Sequence, residues 1–232
     1  MTSPASSHEP DWTERQHDVL NAVLQLLVEV GDRLTMTDVA KRASCSKETL
    51  YKWFGDRDGL LISTVRWQAA RVKVLPIDPA SLDLGTLRMR LEEFAANWLT
   101  VISTKTSLAL NRVAIAQAAS AGGLGKIVLE NGRLEMGRRL KPVLEAGRKA
   151  GLLDFPDAET AFRSYFGLVA RDIQIRLLLG DEIELSADMI KTDAARAAQQ
   201  FLALYGAGIP IGSADQTKTP DGTSGPTATR SA

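Results

Sequence analysis

Residues 34–61, LTMTDVAKRASCSKETLYKWFGDRDGLL, contain two short helical patterns separated by a brief interruption. Thr35 is a favoured N-cap, and Asp38 three residues later completes a capping box for the first helix. The triplet from Ser44 to Ser46 interrupts the apolar pattern, and Ser46 is itself a favoured N-cap for the second helix. Two helices of about two turns joined by a short turn are the components of a helix-turn-helix. The stretch therefore predicts such a motif.

The two predicted helices separate their apolar side chains from their polar ones. The side chains expected to close a small core are Val39, Ala40, Ala43, Cys45, Leu50 and Phe54. The remaining face of the second helix carries Lys47, Glu48, Thr49, Tyr51 and Lys52. These groups are too polar for a buried surface and are of the kinds that bind phosphates and base edges. Cys45 is interpreted as small core filling, with a redox switch as the alternative.

The charge of the chain is neutral overall but locally basic around this motif. Lysine and arginine together number 28, as do aspartate and glutamate, so no general excess of positive charge indicates a nucleic-acid partner. From Arg33 to Arg57, however, the sequence contains six basic residues and three acidic ones. A local excess of three positive charges predicts phosphate binding that weakens as salt rises.

A helix is also predicted immediately before the motif. Apolar side chains recur on one 3.6-residue stripe over 19–30, and Gly31 is suited to end that helix. Its N-terminal capping box leaves two alternatives open, each with a cap residue and an acceptor three positions later. The two candidate pairs are Asp11 with Glu14 and Thr13 with Gln16.

The rest of the chain predicts an all-α fold of about nine helices. Beyond the motif, the predicted helices span 57–74, 84–103, 105–119, 123–149, 156–179 and 186–205, with breaks at Pro76 and Pro79. Pro142 is expected to bend its helix, and Pro156 to lie in the first turn of the next one. The predicted organisation is a disordered arm at 1–10, a DNA-binding domain at 11–57, a ligand-binding and dimerisation domain at 58–206 and a disordered tail at 207–232.

Composition argues against several other classes of protein. A single cysteine precludes an intramolecular disulfide, and two histidines without ligands at suitable spacing predict neither a metal site nor a cofactor. No Gly-rich phosphate loop or nucleophile constellation indicates an enzyme. The absence of a signal-peptide pattern and of a long apolar span leads us to expect a soluble, cytoplasmic protein.

The N-terminal motif resembles the DNA-binding domain of the TetR (tetracycline-repressor-like) family of transcriptional regulators. The shared pattern consists of Val19, Ala22, Gly31, Thr35-x-x-Asp38-Val39-Ala40, Ser46-Lys47-x-Thr49-Leu50-Tyr51-x-x-Phe54 and Arg57-x-x-Leu60. Two positions depart from the family pattern. Ser44 stands where the family usually has glycine, and Arg57 where it usually has lysine. Neither alters the interpretation, because serine tolerates many turn geometries and arginine binds phosphate at least as well as lysine.

This resemblance implies roles for the residues of the motif. The residues matching phosphate contacts are Thr35, Tyr51, Trp53 and Arg57, and those matching base contacts are Thr37, Lys47, Glu48, Thr49 and Tyr51. Ser46 and Lys52 complete the candidate DNA-binding surface. Lys47 is expected to reach guanine, Glu48 cytosine N4 and Thr49 a thymine methyl. Two alternatives stay open: Glu48 is also favourable near a helix N-terminus by charge alone, and Lys52 is otherwise simply solvated.

The C-terminal part resembles the AefR-like branch of that family in the stretches 111–115, 151–153 with 157–158, and 177–180. Candidate residues for a ligand pocket are Trp67, Phe94, Trp98, Arg112, Phe162, Phe166 and Arg171. For the aromatic residues the alternative is ordinary core packing. For the two arginines it is an internal salt bridge. The helices at 156–179 and 186–205 are expected to form the interface of a homodimer.

The function implied by the resemblance is that of a ligand-responsive repressor. A homodimer would bind a palindromic operator in double-stranded DNA, and a small-molecule effector would release it. The alternatives from other classes are an enzyme, for which the sequence offers no site, and a helical adaptor that binds protein through its basic helices.

Overall fold

Helices make up the fold of this computed structural model, which describes residues 12–74, 77–118 and 123–208. Within these ranges the only β-type pairing is an isolated bridge between Leu153 and Gly206. Asp11, Pro76, the predicted arm at 1–10 and most of the predicted tail lie outside the described residues. The predicted tail begins too early, because the Ala207 amide still donates to the Leu152 carbonyl at 3.0 Å.

The first three helices begin at side-chain caps. They are α1 (Glu14–Val30), α2 (Met36–Arg42) and α3 (Lys47–Phe54). Thr13 and Gln16 form the capping box of α1, which selects one of the two pairs that the sequence left open. Thr35 and Ser46 cap α2 and α3 as predicted. Each cap satisfies an amide that has no partner inside its own helix, so short helices of seven and eight residues become stable enough to position their side chains.

The remaining helices form a bundle behind these three. They are α4 (Arg57–Ala70), α5 (Leu84–Ile102), α6 (Lys105–Ala116), α7 (Leu124–Val128), α8 (Leu134–Lys149), α9 (Ala158–Ala170), α10 (Ile173–Leu178) and α11 (Ala187–Tyr205). A π-helical segment, Leu129–Arg133, joins α7 to α8 without a loop. The predicted helix at 123–149 is therefore helical throughout but not uniformly α-helical.

Three of the predicted helix boundaries in this bundle are wrong. The helix predicted at 156–179 begins later, at Ala158, because Asp157 caps it by accepting from the Thr160 amide at 2.8 Å. It then breaks at Arg171, whose φ of 43° cannot continue a right-handed helix. The helix predicted at 57–74 ends earlier, at Ala70.

The buried apolar side chains fall into two clusters. The first joins α1, α2 and α3 to the beginning of α4 and also takes in Leu110 and Ala114 of α6 and Leu124 and Ile127 of α7. The second lies within the C-terminal bundle, where α11 packs on α5 and α9. Its centre includes the buried ring of Tyr165, whose hydroxyl donates to the Leu91 carbonyl at 2.6 Å. The first cluster thus extends well past residue 57, and the division into domains at that residue stays a prediction.

Candidate nucleic-acid interface and effector cavity

Helix α3 presents a polar face to solvent. Leu50 is fully buried and Phe54 is 7% exposed, which directs the opposite face outward. On that face Lys47, Glu48 and Lys52 are exposed. The Tyr51 ring is 53% exposed, although tyrosine carries enough apolar surface to favour burial. An exposed aromatic ring flanked by lysines is suited to an external partner and leaves the hydroxyl free to bind one.

The start of α2 carries a second group of candidate residues. The Thr35 hydroxyl donates to the Asp38 carboxylate at 2.6 Å, and the Asp38 amide donates back to the Thr35 oxygen at 3.2 Å. The hydrogen bond from the Thr35 side chain lowers the pKa of Asp38, so this carboxylate stays charged and holds the cap in place. Thr37, in the first turn of α2, is also exposed.

The start of α3 is held by Ser46 together with Thr49, which was also predicted to contact bases. The Thr49 amide donates to the Ser46 hydroxyl at 3.1 Å, and the two hydroxyl oxygens lie 3.1 Å apart. Thr49 is half-buried, so less of it is available to a partner than of Lys47. The Glu48 pKa is lowered, first by its own backbone amide and then by Ser46. Glu48 therefore interacts favourably with the helix N-terminus, and base contact stays a prediction.

Trp53 and Arg57 lie at the junction of α3 and α4. The Trp53 ring is half-buried and packs edge-on against Phe54, with ring centroids 6.2 Å apart. Arg57 is half-buried, and its Nε donates to the Leu34 carbonyl at 3.2 Å. This bond connects the first residue of α4 to the residue preceding Thr35, so two of the predicted phosphate contacts are brought close together.

The turn between α2 and α3 is held by Arg15, a residue that the sequence did not single out. Ser44 has a φ of 49°, a left-handed conformation in which glycine is favoured. One Arg15 nitrogen, from α1, donates to the carbonyls of Ala43 and Ser44 at 2.6 and 2.9 Å. Arg15 is 28 residues from Ala43, so no local pattern could have predicted this contact. Burial raises the pKa of Cys45, which disfavours the reactive thiolate and supports its role as core filling.

The local excess of positive charge is smaller than the sequence count suggests. Arg42 forms a two-pronged ion pair with Glu29 of α1, with N–O distances of 2.9 and 2.5 Å. Glu29 lies outside the stretch in which charges were counted, so the pairing removes one cation from the predicted excess. The hydrogen bond to Arg42 also lowers the pKa of Glu29, so the carboxylate remains charged and keeps this arginine paired. Lys47 and Lys52 are then the lysines that define the basic character of α3.

A cavity of about 650 Å³ lies between helices α4 to α10 and the π segment that joins α7 to α8. Its apolar lining includes Val65, Ala69, Trp98, Val101, Ile102, Leu110, Met136 and Phe166. Its polar lining consists of Gln68, Ser107, Asn111, Lys126, Arg133 and Gln174. A mostly apolar cavity of this size with a few polar groups is typical of a small-molecule site.

The aromatic residues proposed for a pocket divide between this cavity and the core. Trp98 and Phe166 both line the cavity, and their ring centroids lie 4.0 Å apart. Phe94 and Phe162 are instead buried in the core of the bundle, which is the ordinary core packing given above as their alternative. Trp67 lies on α4 away from the cavity, and its ring stacks on that of His17 at 5.7 Å.

The two arginines proposed for the pocket are engaged elsewhere. Arg112 donates to the carbonyls of Leu177 and Leu178 at 2.8 and 3.0 Å, so it caps the C-terminus of α10 instead of forming the expected salt bridge. Arg171 does form an internal salt bridge, with Asp193 of α11 at 2.8 Å. Among the described residues, the arginine that lines the cavity is Arg133. It was not among the predicted pocket residues, because it lies in a polar stretch with no apolar stripe.

Comparison with known proteins identifies the family. Residues 89–207, from α5 to just past α11, match the family model of the AefR-like transcriptional repressor C-terminal domain. A solved TetR transcriptional regulator from Agrobacterium tumefaciens shares 43% sequence identity with this chain, with a TM-score of 0.72, and the match covers 85% of this chain and 97% of that one. The chain belongs to the TetR family.

Two further structures extend this relationship. The flavonoid-responsive regulator FrrA shares 25% identity at a TM-score of 0.63, over 84% of this chain and 98% of that protein. A TetR-family regulator from Mesorhizobium loti shares the fold at 23% identity and a TM-score of 0.68, over 83% of this chain and 96% of that protein. A search of curated protein sequences gave no match. The predicted family and the AefR-like C-terminal domain are therefore confirmed.

Family membership gives the chain as a whole a role in DNA binding. The relatives to which this chain is similar are all transcriptional regulators. The chain is accordingly a DNA-binding regulator and not an enzyme. The helical content and the N-terminal helix-turn-helix agree with that assignment. Among the described residues, no helix combines the length and the apolar character that crossing a bilayer requires.

Proposed function

We propose that this TetR-family regulator is a repressor that binds a near-palindromic operator as a homodimer and releases it when a small molecule fills the cavity. The observation that carries the proposal is the position of α4. This helix begins at Arg57 beside the candidate DNA-binding surface, and its later residues Val65, Gln68 and Ala69 line the cavity. A single rigid helix therefore connects the two candidate sites.

The DNA-binding part of the proposal rests on the exposed side chains of α2 and α3. Thr35, Tyr51, Trp53 and Arg57 would bind phosphates and set the register of the protein on the duplex. The bases would be read by Thr37, Lys47, Glu48, Thr49 and Tyr51. Such contacts are made in the cytoplasm of a bacterial cell, where the operator lies. Lys47 is the most informative of these residues, because it is exposed at the first position of α3 and the helix does not need it for its cap.

The homodimer is supported by exposed apolar side chains in the helices proposed for the interface. These side chains are Ile175, Leu179, Met189 and Leu204, each 47–81% exposed. Apolar groups of this size in adjacent helices favour burial against a second copy. A two-fold dimer would place its two recognition helices in successive major grooves, about 34–36 Å apart.

Release by an effector requires that the cavity and the DNA-binding surface be coupled. Helix α4 provides one connection and α6 a second, since α6 lines the cavity and packs on α1. Gln174 also lines the cavity, next to Ile175 on the proposed dimer face. A ligand that prefers the DNA-incompetent state by about 1–3 kcal/mol would weaken operator binding roughly 5- to 150-fold. The response of FrrA to flavonoids supports a small aromatic molecule as the effector.

The proposed recognition surface is tested by a matched pair of lysine substitutions. Lys47→Ala removes an exposed lysine at the first position of α3, directly after the N-cap Ser46. Lys105→Ala removes an exposed lysine at the first position of α6, directly after the N-cap Thr104. Fluorescence anisotropy would measure the affinity of each full-length variant for duplexes from the region upstream of its own gene, at several salt concentrations.

Lys47→Ala is expected to weaken binding about 5- to 150-fold, since a contact to a base contributes about 1–3 kcal/mol. Lys105→Ala is expected to bind as the unmodified protein does. Circular dichroism should show equal helical content in both variants. Equal loss of affinity in the two variants, or no loss in either, would contradict the proposed orientation of α3 on DNA. An adaptor protein would show no preference for the upstream sequence over random duplex.

A further inference from the structure

Arg133 is the guanidinium that faces the effector cavity. It is the last residue of the π segment, and departures from α-helical geometry of this kind often occur at functional sites. Its guanidinium carbon lies 3.8 Å from the ring centroid of Phe166 and 4.6 Å from that of Phe162. The Phe166 ring in turn lies against Trp98, so one wall of the cavity is a stack of a cation on two aromatic side chains.

Among the described residues, Arg133 makes no hydrogen bond and no ion pair. Glu159 is the carboxylate that acts on it electrostatically, but both Glu159 oxygens are already engaged. One accepts from Lys141 at 3.1 Å and the other from Arg163 at 3.1 Å. The Arg133 nitrogens are thus left without an acceptor, while the guanidinium itself stacks on aromatic rings.

The charges around the cavity are of one sign. Its described lining contains two cations, Lys126 and Arg133, and no aspartate or glutamate. Lys126 is largely exposed and lies 3.9 Å from Glu130, whereas Arg133 is half-buried. Burial lowers the pKa of Arg133 from its ordinary value, but an arginine stays protonated in proteins. Among the described residues Glu159 offsets part of the free-energy cost of keeping this charge partly buried, but it does so without a hydrogen bond or an ion pair to Arg133.

From this arrangement we infer that the cavity binds an amphipathic monoanion, with an apolar body against Trp98 and Phe166 and a single carboxylate that accepts hydrogen bonds from Arg133. The inference rests on the proposed function of the cavity as the effector site. Arginine presents donors in a planar fork that matches a carboxylate, and charge-assisted bonds of this kind are about twice as strong as neutral ones. The apolar lining explains why the rest of the ligand should lack charge.

The same segment connects the anion to α4. Asn131, two residues before Arg133, accepts from Arg66 of α4 at 2.9 Å. A carboxylate that draws the Arg133 side chain away from the rings would shift the π segment, and this hydrogen bond would transmit the shift to the helix that begins beside the DNA-binding surface.

The test compares an acid with its neutral amide on the full-length protein. Isothermal titration calorimetry would measure the binding of 4-biphenylacetate and of 4-biphenylacetamide, which differ only in the charged group. The variant Arg133→Met keeps an unbranched side chain against the aromatic rings and removes the charge. The control Arg148→Met removes an exposed arginine whose guanidinium also lies over an aromatic ring, that of Phe155 at 5.2 Å, but which does not line the cavity. Decanoate, titrated in parallel, distinguishes a fatty acid from an aromatic acid as the source of the anion.

The acid is expected to bind at least tenfold more tightly than the amide. Arg133→Met should abolish this preference by weakening the binding of the acid, with the affinity for the amide unchanged within about twofold. Arg148→Met should retain the preference. Equal binding of acid and amide by the unmodified protein would overturn the inference and needs no variant. A preference that persists in Arg133→Met, or no binding of either compound, would also overturn it. Operator binding is measured separately. If the Arg133-dependent preference is present and DNA is not bound, the proposed function fails and the inference stands.

Discussion

A single methyl group at Gly59 should separate α3 from α4. Gly59 is the third residue of α4, and its amide donates to the N-cap Asp56 at 2.8 Å. A Cβ atom built at this position would lie 2.0 Å from the carbonyl oxygen of Phe54, the last residue of α3. Contacts of a real Cβ atom below 3.0 Å are essentially unknown, so the two backbones would have to move apart by about 1 Å. Neither backbone can relieve the contact by rotating a side chain.

The size of the effect follows from this geometry. Overpacking that requires a shift of the backbone costs about 1–3 kcal/mol. In a protein of this length each kcal/mol lowers the melting temperature by roughly 2–4 °C, so Gly59→Ala should lower it by about 2–12 °C. The end of α3 moves with Phe54, and Trp53 moves with it. Operator affinity should therefore fall by about fivefold or more, as for the loss of one DNA contact.

Gly85→Ala is the matched control for this prediction. Gly85 lies in the first turn of α5, again just after a capping aspartate, and its added Cβ would meet nothing closer than an Asp83 oxygen at 3.5 Å. Alanine favours a helix over glycine by up to about 1 kcal/mol, so this variant should be as stable as the unmodified protein or more so. Differential scanning calorimetry and fluorescence anisotropy would measure the two effects. A Gly59→Ala protein with unchanged melting temperature and unchanged operator affinity would refute the close approach of α3 and α4.

Three further substitutions test local features of the fold. Ser44→Gly should stabilise the protein by about 0.5–1 kcal/mol in urea denaturation, because glycine adopts the left-handed conformation without strain. Ser44→Ala should give no gain in stability. Equal effects of the two substitutions would contradict this origin of the strain. Arg112→Met should destabilise by about 1 kcal/mol, since it removes the bonds that cap α10, and an unchanged urea midpoint would show that those bonds contribute nothing. Thr160→Val should raise the pKa of Asp157 toward its ordinary 3.8 in a carboxyl NMR titration, because the Thr160 side chain is the main cause of its lowering. A carboxylate with a lowered pKa contributes stability above its unfolded pKa, and this stability is lost as the pH falls through the folded value. The variant should therefore lose less stability on acidification, and a pH profile identical to that of the unmodified protein would exclude this contribution.

The helix-turn-helix could be predicted because its determinants are local. A helix cap acts over three residues, so the sequence around Thr35 and Ser46 contains all that is needed to begin α2 and α3. The burial of Leu50 and the exposure of Tyr51 follow from helical periodicity in the same way. The boundaries of α3 and the outward direction of its polar face required no knowledge of the rest of the fold.

The cavity could not be predicted, because it depends on which helices pass close to one another. The aromatic residues Phe94 and Trp98 are four positions apart on one face of α5 and both belong to the buried core, yet only Trp98 also lines the cavity. No periodicity distinguishes the two positions. The break at Arg171 likewise coincides with an ion pair to Asp193, 22 residues away.

Caps and periodicity operate within one or two turns of the chain, so the amino-acid sequence alone was enough to define α3 and its exposed polar face. Which arginine faces the cavity depends instead on how the helices pack. Arg112 lies in an apolar helix yet is used to cap α10, whereas Arg133 lies in a polar stretch yet has no acceptor among the described residues. Whether a charge is satisfied depends on the acids and carbonyls that folding brings within about 3 Å of it, and most of those come from distant parts of the chain.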